Sequence, residues 1–168
     1  MTTQYFDVLI FGAGISGIGA AYHLQQKRPQ DRYAILEARP DLGGTWDLFR
    51  YPGIRSDSDL FTFSYDFKPW KSDQAIADGP AIKAYIAETA NENGITPNIR
   101  FHHKVQQANW SSSDRLWTVD VVRVDTGETL QMRARWIFSG TGYYRYDEGF
   151  TPEFAGRDRF RGQVIHPQ

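Results

Sequence analysis

The sequence predicts an α/β fold, a parallel sheet with a helical crossover and an antiparallel β-meander inserted into it. Three observations predict this. An almost continuous apolar run, Tyr5 to Phe11, stops abruptly at glycine, as a strand buried on both faces of a parallel sheet does. A segment of helical period and a second short apolar run, Tyr33 to Leu36, come next, and a strand, helix, strand unit with a right-handed crossover has parallel strands. Farther along, the apolar spacing changes to every second residue, the period of a strand with one buried face.

Tyr5 to Phe11 is the first strand. In Ile15 to Lys27, residues Ile18, Ala21, Tyr22 and Leu24 fall near helical spacing, and Pro29 lies just past the end, where a helix cannot continue. Tyr33 to Leu36 completes the unit. Residues 38 to 78 are rich in Gly, Pro, Asp, Ser and aromatics without a clear period. A loop region that long inside a compact domain is usually functional, and we read it as a segment that wraps a ligand. Pro80 to Asn93 reads as a helix with proline in its first turn, Ile82, Tyr85 and Ile86 on its apolar face, and Gly94 as its stop. From Ile99 to Arg135, Trp117, Val119 and Val121 alternate with polar neighbours and Asp125-Thr126-Gly127 supplies a turn, which makes the meander. Arg135 to Phe138 is a further, last apolar strand that ends at Ser139-Gly140-Thr141-Gly142, a second place where glycine admits close approach to the backbone.

Composition bounds the function. The 168 residues suit one ordinary domain. A chain that is 40% hydrophobic and 23% charged, with net charge -1, is globular and has no electrostatic footprint for nucleic acid. No stretch approaches the roughly 20 apolar residues of a membrane span, and the start of the chain lacks the pattern of a signal peptide. The expected location is the cytoplasm. The chain has no cysteine, and its four histidines are scattered, which excludes disulfides, thiolate nucleophiles and Cys-ligated metals and shows no metal-ligand spacing. Its chemistry must come from a cofactor.

Gly12-Ala13-Gly14-Ile15-Ser16-Gly17 fits G-x-G-x-x-G between the first strand and its helix. Gly12 allows the tight turn, Gly14 lets the backbone approach a pyrophosphate, and Gly17 allows close helix-to-strand packing. The helix N-terminus directs free N–H groups and a partial positive charge at the phosphates. Glu37, 20 residues after Gly17, ends the second strand, where its carboxylate can accept hydrogen bonds from a ribose diol. The domain is therefore Rossmann-like. Glu37 argues against a 2'-phosphate at this site, so FAD or NAD is favoured over NADP, and Arg39 reads as a surface arginine.

The segment after Glu37 carries a resemblance. Asp41-Leu42-Gly43-Gly44-Thr45-Trp46 and Arg50-Tyr51-Pro52-Gly53-Ile54-Arg55-Ser56-Asp57 resemble the GG-T-W and R-Y-P-G-x-R-x-D segments of Baeyer-Villiger monooxygenases, a type of class B flavoprotein monooxygenase. Trp46 and Tyr51 would offer aromatic faces to a planar ring. Phe160 to His166 is similar to F-x-G-x-x-x-H, the first part of that family's fingerprint, whose remaining positions would fall after Gln168. Arg50 to Asp59, Tyr146-Asp147-Glu148-Gly149 and His166-Pro167-Gln168 are similar to the ethionamide-activating branch.

The resemblance implies a glutathione-reductase-like FAD-binding domain over residues 1 to 168, stopping before an NADPH domain. It implies an oxidoreductase, an NADPH- and O2-dependent monooxygenase that oxygenates ketones to esters or lactones, or oxygenates sulfur compounds. The alternatives are a flavin-containing N- or S-hydroxylating monooxygenase and a non-catalytic dinucleotide-binding module. By the same resemblance, Gly12, Gly14, Ser16 and Gly17 hold the FAD pyrophosphate, and Glu37 holds the ribose. Gly44, Thr45, Trp46, Asp47 and Leu48 run along the flavin, Val105 gives backbone bonds to the adenine, and Gly142 closes over the cofactor. Arg55, Ser56 and Asp57 touch NADP, and Asp57 is the acid beside the reacting centre. His166 resembles a histidine that couples domain motion to catalysis. Taken without the family, Asp57 is a loop-capping aspartate, Trp46 is equally a core residue, and Val105 is an ordinary strand residue. A second G-x-G-x-x-G site and the family's catalytic arginine have no counterpart in the sequence, so the chain alone is expected not to turn over and to expose apolar surface.

Overall fold

A computed structural model describes residues 3–168. Strand β1 (Gln4–Phe11), helix α1 (Ile15–Lys27) and strand β2 (Tyr33–Leu36) form the opening unit, and β1 and β2 pair in parallel. Gly17, Ile18, Gly19 and Ala21 are the buried face of α1; with so little side chain on it, the helix lies close to the sheet. Gly14 stands at its N-cap with no side-chain hydrogen bond, so the first-turn N–H groups remain available.

The region 38–78 departs from the expected plain loop. It contains two one-turn helices, α2 (Thr45–Leu48) and α3 (Leu60–Phe63), each too short for a 3.6-residue period to show. The Asp59 carboxylate caps α3 by accepting the Thr62 N–H at 2.9 Å. The rest is pinned by aromatics. Tyr65 donates its hydroxyl to the Ile15 carbonyl at 2.5 Å, and its ring stacks on Phe67 and Tyr85. Helix α4 (Gly79–Glu92) comes next, with the Asp78 carboxylate accepting the Ala81 N–H at 2.8 Å.

The strands β3 (Ile99–Arg100), β4 (His103–Ser111), β5 (Leu116–Arg123) and β6 (Thr129–Ser139) complete a six-stranded sheet in the order β3-β2-β1-β6-β5-β4. Two strands differ from expectation. Ile99-Arg100 belongs not to the meander but to the opposite edge, parallel to β2. The last meander strand and the closing apolar strand are one strand, β6, antiparallel to β5 and parallel to β1. No Gly, Pro, Asn or Asp occurs between Thr129 and Ser139, so nothing in that stretch punctuates the chain. Met132 and Ala134, almost fully buried, lie in the part of β6 paired on both sides.

Ile10, Ile18, Ile35, Ile82 and Ile86 form one core where the helices lie on the sheet. Phe6, Leu9, Leu36, Val119, Val121 and Met132 form a second along the neighbouring strands β2, β1, β6 and β5, and the sheet curls so that β2 and β4, far apart in its order, approach each other. The curl brings the start of β4 to the end of β2, where His103 N–H donates to the Glu37 carbonyl at 2.8 Å. Among the described residues no helix is long and apolar enough to cross a membrane.

Candidate dinucleotide-binding site

The carboxyl ends of β1, β2 and β6 open on one side, the usual position of a ligand crevice in an open α/β sheet. Gly12, at φ +96°, turns the chain out of β1, and a methyl group there would lie 2.7 Å from the Gly140 carbonyl oxygen. On Gly17 a methyl would overlap the Gly12 carbonyl oxygen. Both glycines are therefore required by the protein's own packing. Gly14 differs. It has no positive φ, and a methyl would meet only Gly44 Cα at 3.6 Å, an ordinary contact. Gly14 fronts an open space.

That space is a cavity of about 570 Å³, within the roughly 300–1,000 Å³ of small-molecule sites. Gly12, Gly14, Ser16, Glu37, Gly44, Thr45, Trp46, Val105 and Gly142 all line it. Glu37 is 6% exposed. Its Oε2 accepts the Ala13 N–H at 2.8 Å and its Oε1 accepts the Arg39 N–H at 2.9 Å, which offsets its burial and leaves further lone pairs for a diol. Val105 sits on edge strand β4, at a register shift between Val105 and Gln107. There the free edge presents backbone groups. Trp46 lines the cavity, and its ring meets Phe63 edge-on at 6.2 Å.

Other expected site residues lie off the cavity wall. Gly17 supports the loop from behind. Asp47 is fully buried below the Gly43-Gly44 turn, where its carboxylate meets Arg39 at 2.6 Å, Lys83 at 2.8 Å and Arg50 at 2.9 Å. Burial alone would push this carboxyl up, but hydrogen bonds from Lys83 and Arg39 and their charges outweigh it and hold the group below the ordinary carboxylate range. Hydrogen bonds to Asp41 and Asp47 hold Lys83 above the ordinary ammonium range. Arg39 is thus not a free surface arginine. The short spacing between the end of β2 and α2 places its guanidinium over Asp47.

Leu48, Arg55, Ser56 and Asp57 also do not line the cavity, and Tyr51 is exposed and packs edge-on to Phe49. The Ser56 hydroxyl donates to the Ser58 carbonyl at 2.7 Å. Asp57 is exposed, and its one side-chain hydrogen bond among the described residues, with the Ser58 hydroxyl, is at 3.5 Å. The capping aspartate of this segment is Asp59. Asp57 lies near Tyr144, whose hydroxyl is pushed up by its hydrogen bond with Tyr143, by burial, and by neighbouring charges that include Asp57. His166 is exposed and accepts the Gln168 N–H at 3.2 Å.

Several cavity residues had no site role in the sequence, among them Tyr146 and Asp147. Tyr146 and Asp147 reach the cavity from the chain after β6. Burial pushes the Tyr146 hydroxyl up, the Thr45 side chain acts the other way, and the Glu37 carboxylate adds to the rise. Asp147 pairs with Lys104 at 3.0 Å. The sequence marked them only as part of the Tyr146-Asp147-Glu148-Gly149 resemblance, and their spacing after Gly142 has no period that would place them at the cavity.

Comparison with known proteins agrees with this geometry. The NAD(P)-binding Rossmann-like domain family matches residues 10–72. The chain is 55% identical over 166 residues to the FAD-containing monooxygenase EthA of Mycolicibacterium smegmatis, covering 99% of this chain and 33% of that protein. It is 53% identical over 165 residues to the putative FAD-containing monooxygenase MymA of Mycobacterium tuberculosis, covering 98% and 33%. A solved structure of an oxidized steroid monooxygenase bound to NADP matches with a TM-score of 0.78 and 31% identity, covering 98% of this chain and 31% of that one. The chain spans about a third of the length of the curated relatives it matches. Along almost its whole length the chain is similar to about a third of these FAD-containing monooxygenases.

Proposed function

We propose that residues 1–168 are the FAD-binding portion of an NADPH- and O2-dependent monooxygenase that oxygenates small ketones or sulfur compounds. The observation that carries this reading is the convergence of the glycine turn, Glu37, the Gly43-Gly44 turn, Val105 and Gly142 on one cavity. Bound there, FAD would supply the redox chemistry, since cofactors carry the hard steps and the protein orients and shields them.

The chain's own residues have separable tasks. The N–H groups of the Gly12–Gly17 turn and the first turn of α1 take the pyrophosphate, with the Ser16 hydroxyl beside it. Glu37 takes the ribose diol. The edge of β4 at Val105 takes the adenine, while Thr45 and Trp46 lie along the flavin. Arg55, Ser56 and Asp57 are assigned to the NADP side of the full-length enzyme, with Asp57 as the acid nearest the reacting centre. The exposure of Arg55 and Asp57 supports that assignment.

An absorbance spectrum of the purified chain titrated with FAD tests the reading. Protein-bound flavin, with a spectrum shifted from free FAD, is the expected result. Binding of NAD in preference to FAD would replace the flavin by a nicotinamide at this site. Binding of neither would overturn the assignment of the cavity.

A further inference from the structure

Arg39 stands on the cavity wall beside Glu37, whose carboxylate accepts its backbone N–H. An arginine at the ribose end of a dinucleotide site is the side chain that accommodates a 2'-phosphate, because its planar fork pairs bidentately with phosphate oxygens. Here the fork is already committed. Nε and Nη2 both donate to Asp47 Oδ2, at 2.9 and 2.6 Å, and Nη2 also donates to the Asp47 carbonyl at 3.3 Å. The Asp47 side chain has no exposed surface, and its Oδ1 is held in turn by Lys83 at 2.8 Å and Arg50 at 2.9 Å. Swinging Arg39 toward a ligand would leave a buried carboxylate short of a partner, which is strongly unfavourable. The other cation on the wall, Lys104, is paired with Asp147 at 3.0 Å.

We infer that Asp47 is a specificity-determining residue of this site: by holding Arg39, it makes the cavity accept an adenosine with a free 2'-hydroxyl and reject a 2'-phosphorylated one. Glu37 repels a 2'-phosphate, and Asp47 withholds the arginine that would offset that repulsion. Asp47 acts through Arg39 and not by contact with the ligand. The inference rests on the dinucleotide reading of the cavity.

The test is displacement of bound FAD from the chain by AMP and by adenosine 2',5'-bisphosphate, which differ only in the 2'-phosphate, read by flavin fluorescence. In the wild type, AMP is expected to displace FAD at concentrations on the order of 100-fold lower than the bisphosphate, the size of an unrelieved like-charge contact. Asp47→Asn lowers that ratio about tenfold, as freed Arg39 turns to the 2'-phosphate. The double variant Asp47→Asn with Arg39→Ala restores the wild-type ratio. Arg39→Ala alone leaves the ratio unchanged, because a held guanidinium adds nothing to 2'-phosphate binding. A structural role for Asp47 alone would weaken both probes equally and overturn the inference, as would a loss of bisphosphate affinity in Arg39→Ala. Wild-type protein that binds FAD with no discrimination sinks the inference alone, whereas failure to bind FAD and AMP sinks the cavity assignment with it.

Discussion

At the residue scale, the three glycines of the first turn do different work, although they look alike in the sequence. Gly17→Ala drives a methyl into the Gly12 carbonyl, and the chain should lose cooperative unfolding or most of its stability in urea. Gly14→Ala meets nothing closer than 3.6 Å, so its urea midpoint should stay near wild type while FAD affinity falls about tenfold or more, because the methyl occupies the pyrophosphate's approach. Equal loss of stability in the two variants would refute this division. Asp47 gives a second prediction. Its folded carboxyl lies below its ordinary value, so its contribution is fully present above the unfolded value of about 4 and is lost as pH falls through the folded value. Asp47→Asn should cost about 3 kcal/mol near neutrality, the scale of a broken buried pair. The gap between the urea curves of wild type and variant should narrow below about pH 4; a gap independent of pH would contradict the assignment of charge to Asp47.

At the element scale, the segment between β2 and α4 shows why a region without period still has defined structure. Its helices are single turns, set by caps and by packing of a few side chains. Asp59 caps α3 and Leu60 anchors it in the core, whereas Asp57, two residues earlier, is exposed, with a hydrogen bond to Ser58 at 3.5 Å. Thermal unfolding should therefore show Asp59→Ala costing about 1 kcal/mol, as loss of an N-cap does. Asp57→Ala should change stability by no more than about 0.5 kcal/mol. The reverse order would mean that the caps are assigned to the wrong acid. The sequence located α1 with both its ends, because a glycine turn, an apolar stripe and a following proline are all local signals. It divided β6 into two strands because a change in burial along one continuous strand looks, in one dimension, like a new element.

At the scale of the whole molecule, the structure leaves large apolar side chains in water. Trp136 is 71% exposed, Tyr143 88%, Phe150 83% and Ile165 78%. Such surface on a chain one third the length of its relatives is a candidate contact surface and favours self-association. Light scattering should show the average mass rising with concentration, and Trp136→Lys should reduce that rise; a monodisperse wild-type chain would count against it. The sequence by itself determined the opening β-α-β unit, the glycine turn and the acid that ends β2, because each depends on neighbours in the chain and on one periodicity at a time. Only the tertiary structure decided that β6 is shared between the parallel and antiparallel halves, that Arg39 is committed to Asp47, and that Tyr146 and Asp147 reach the cavity. Those relations join residues through the curl of the sheet and the burial of one carboxylate, and neither curl nor burial leaves a periodic trace in the order of residues.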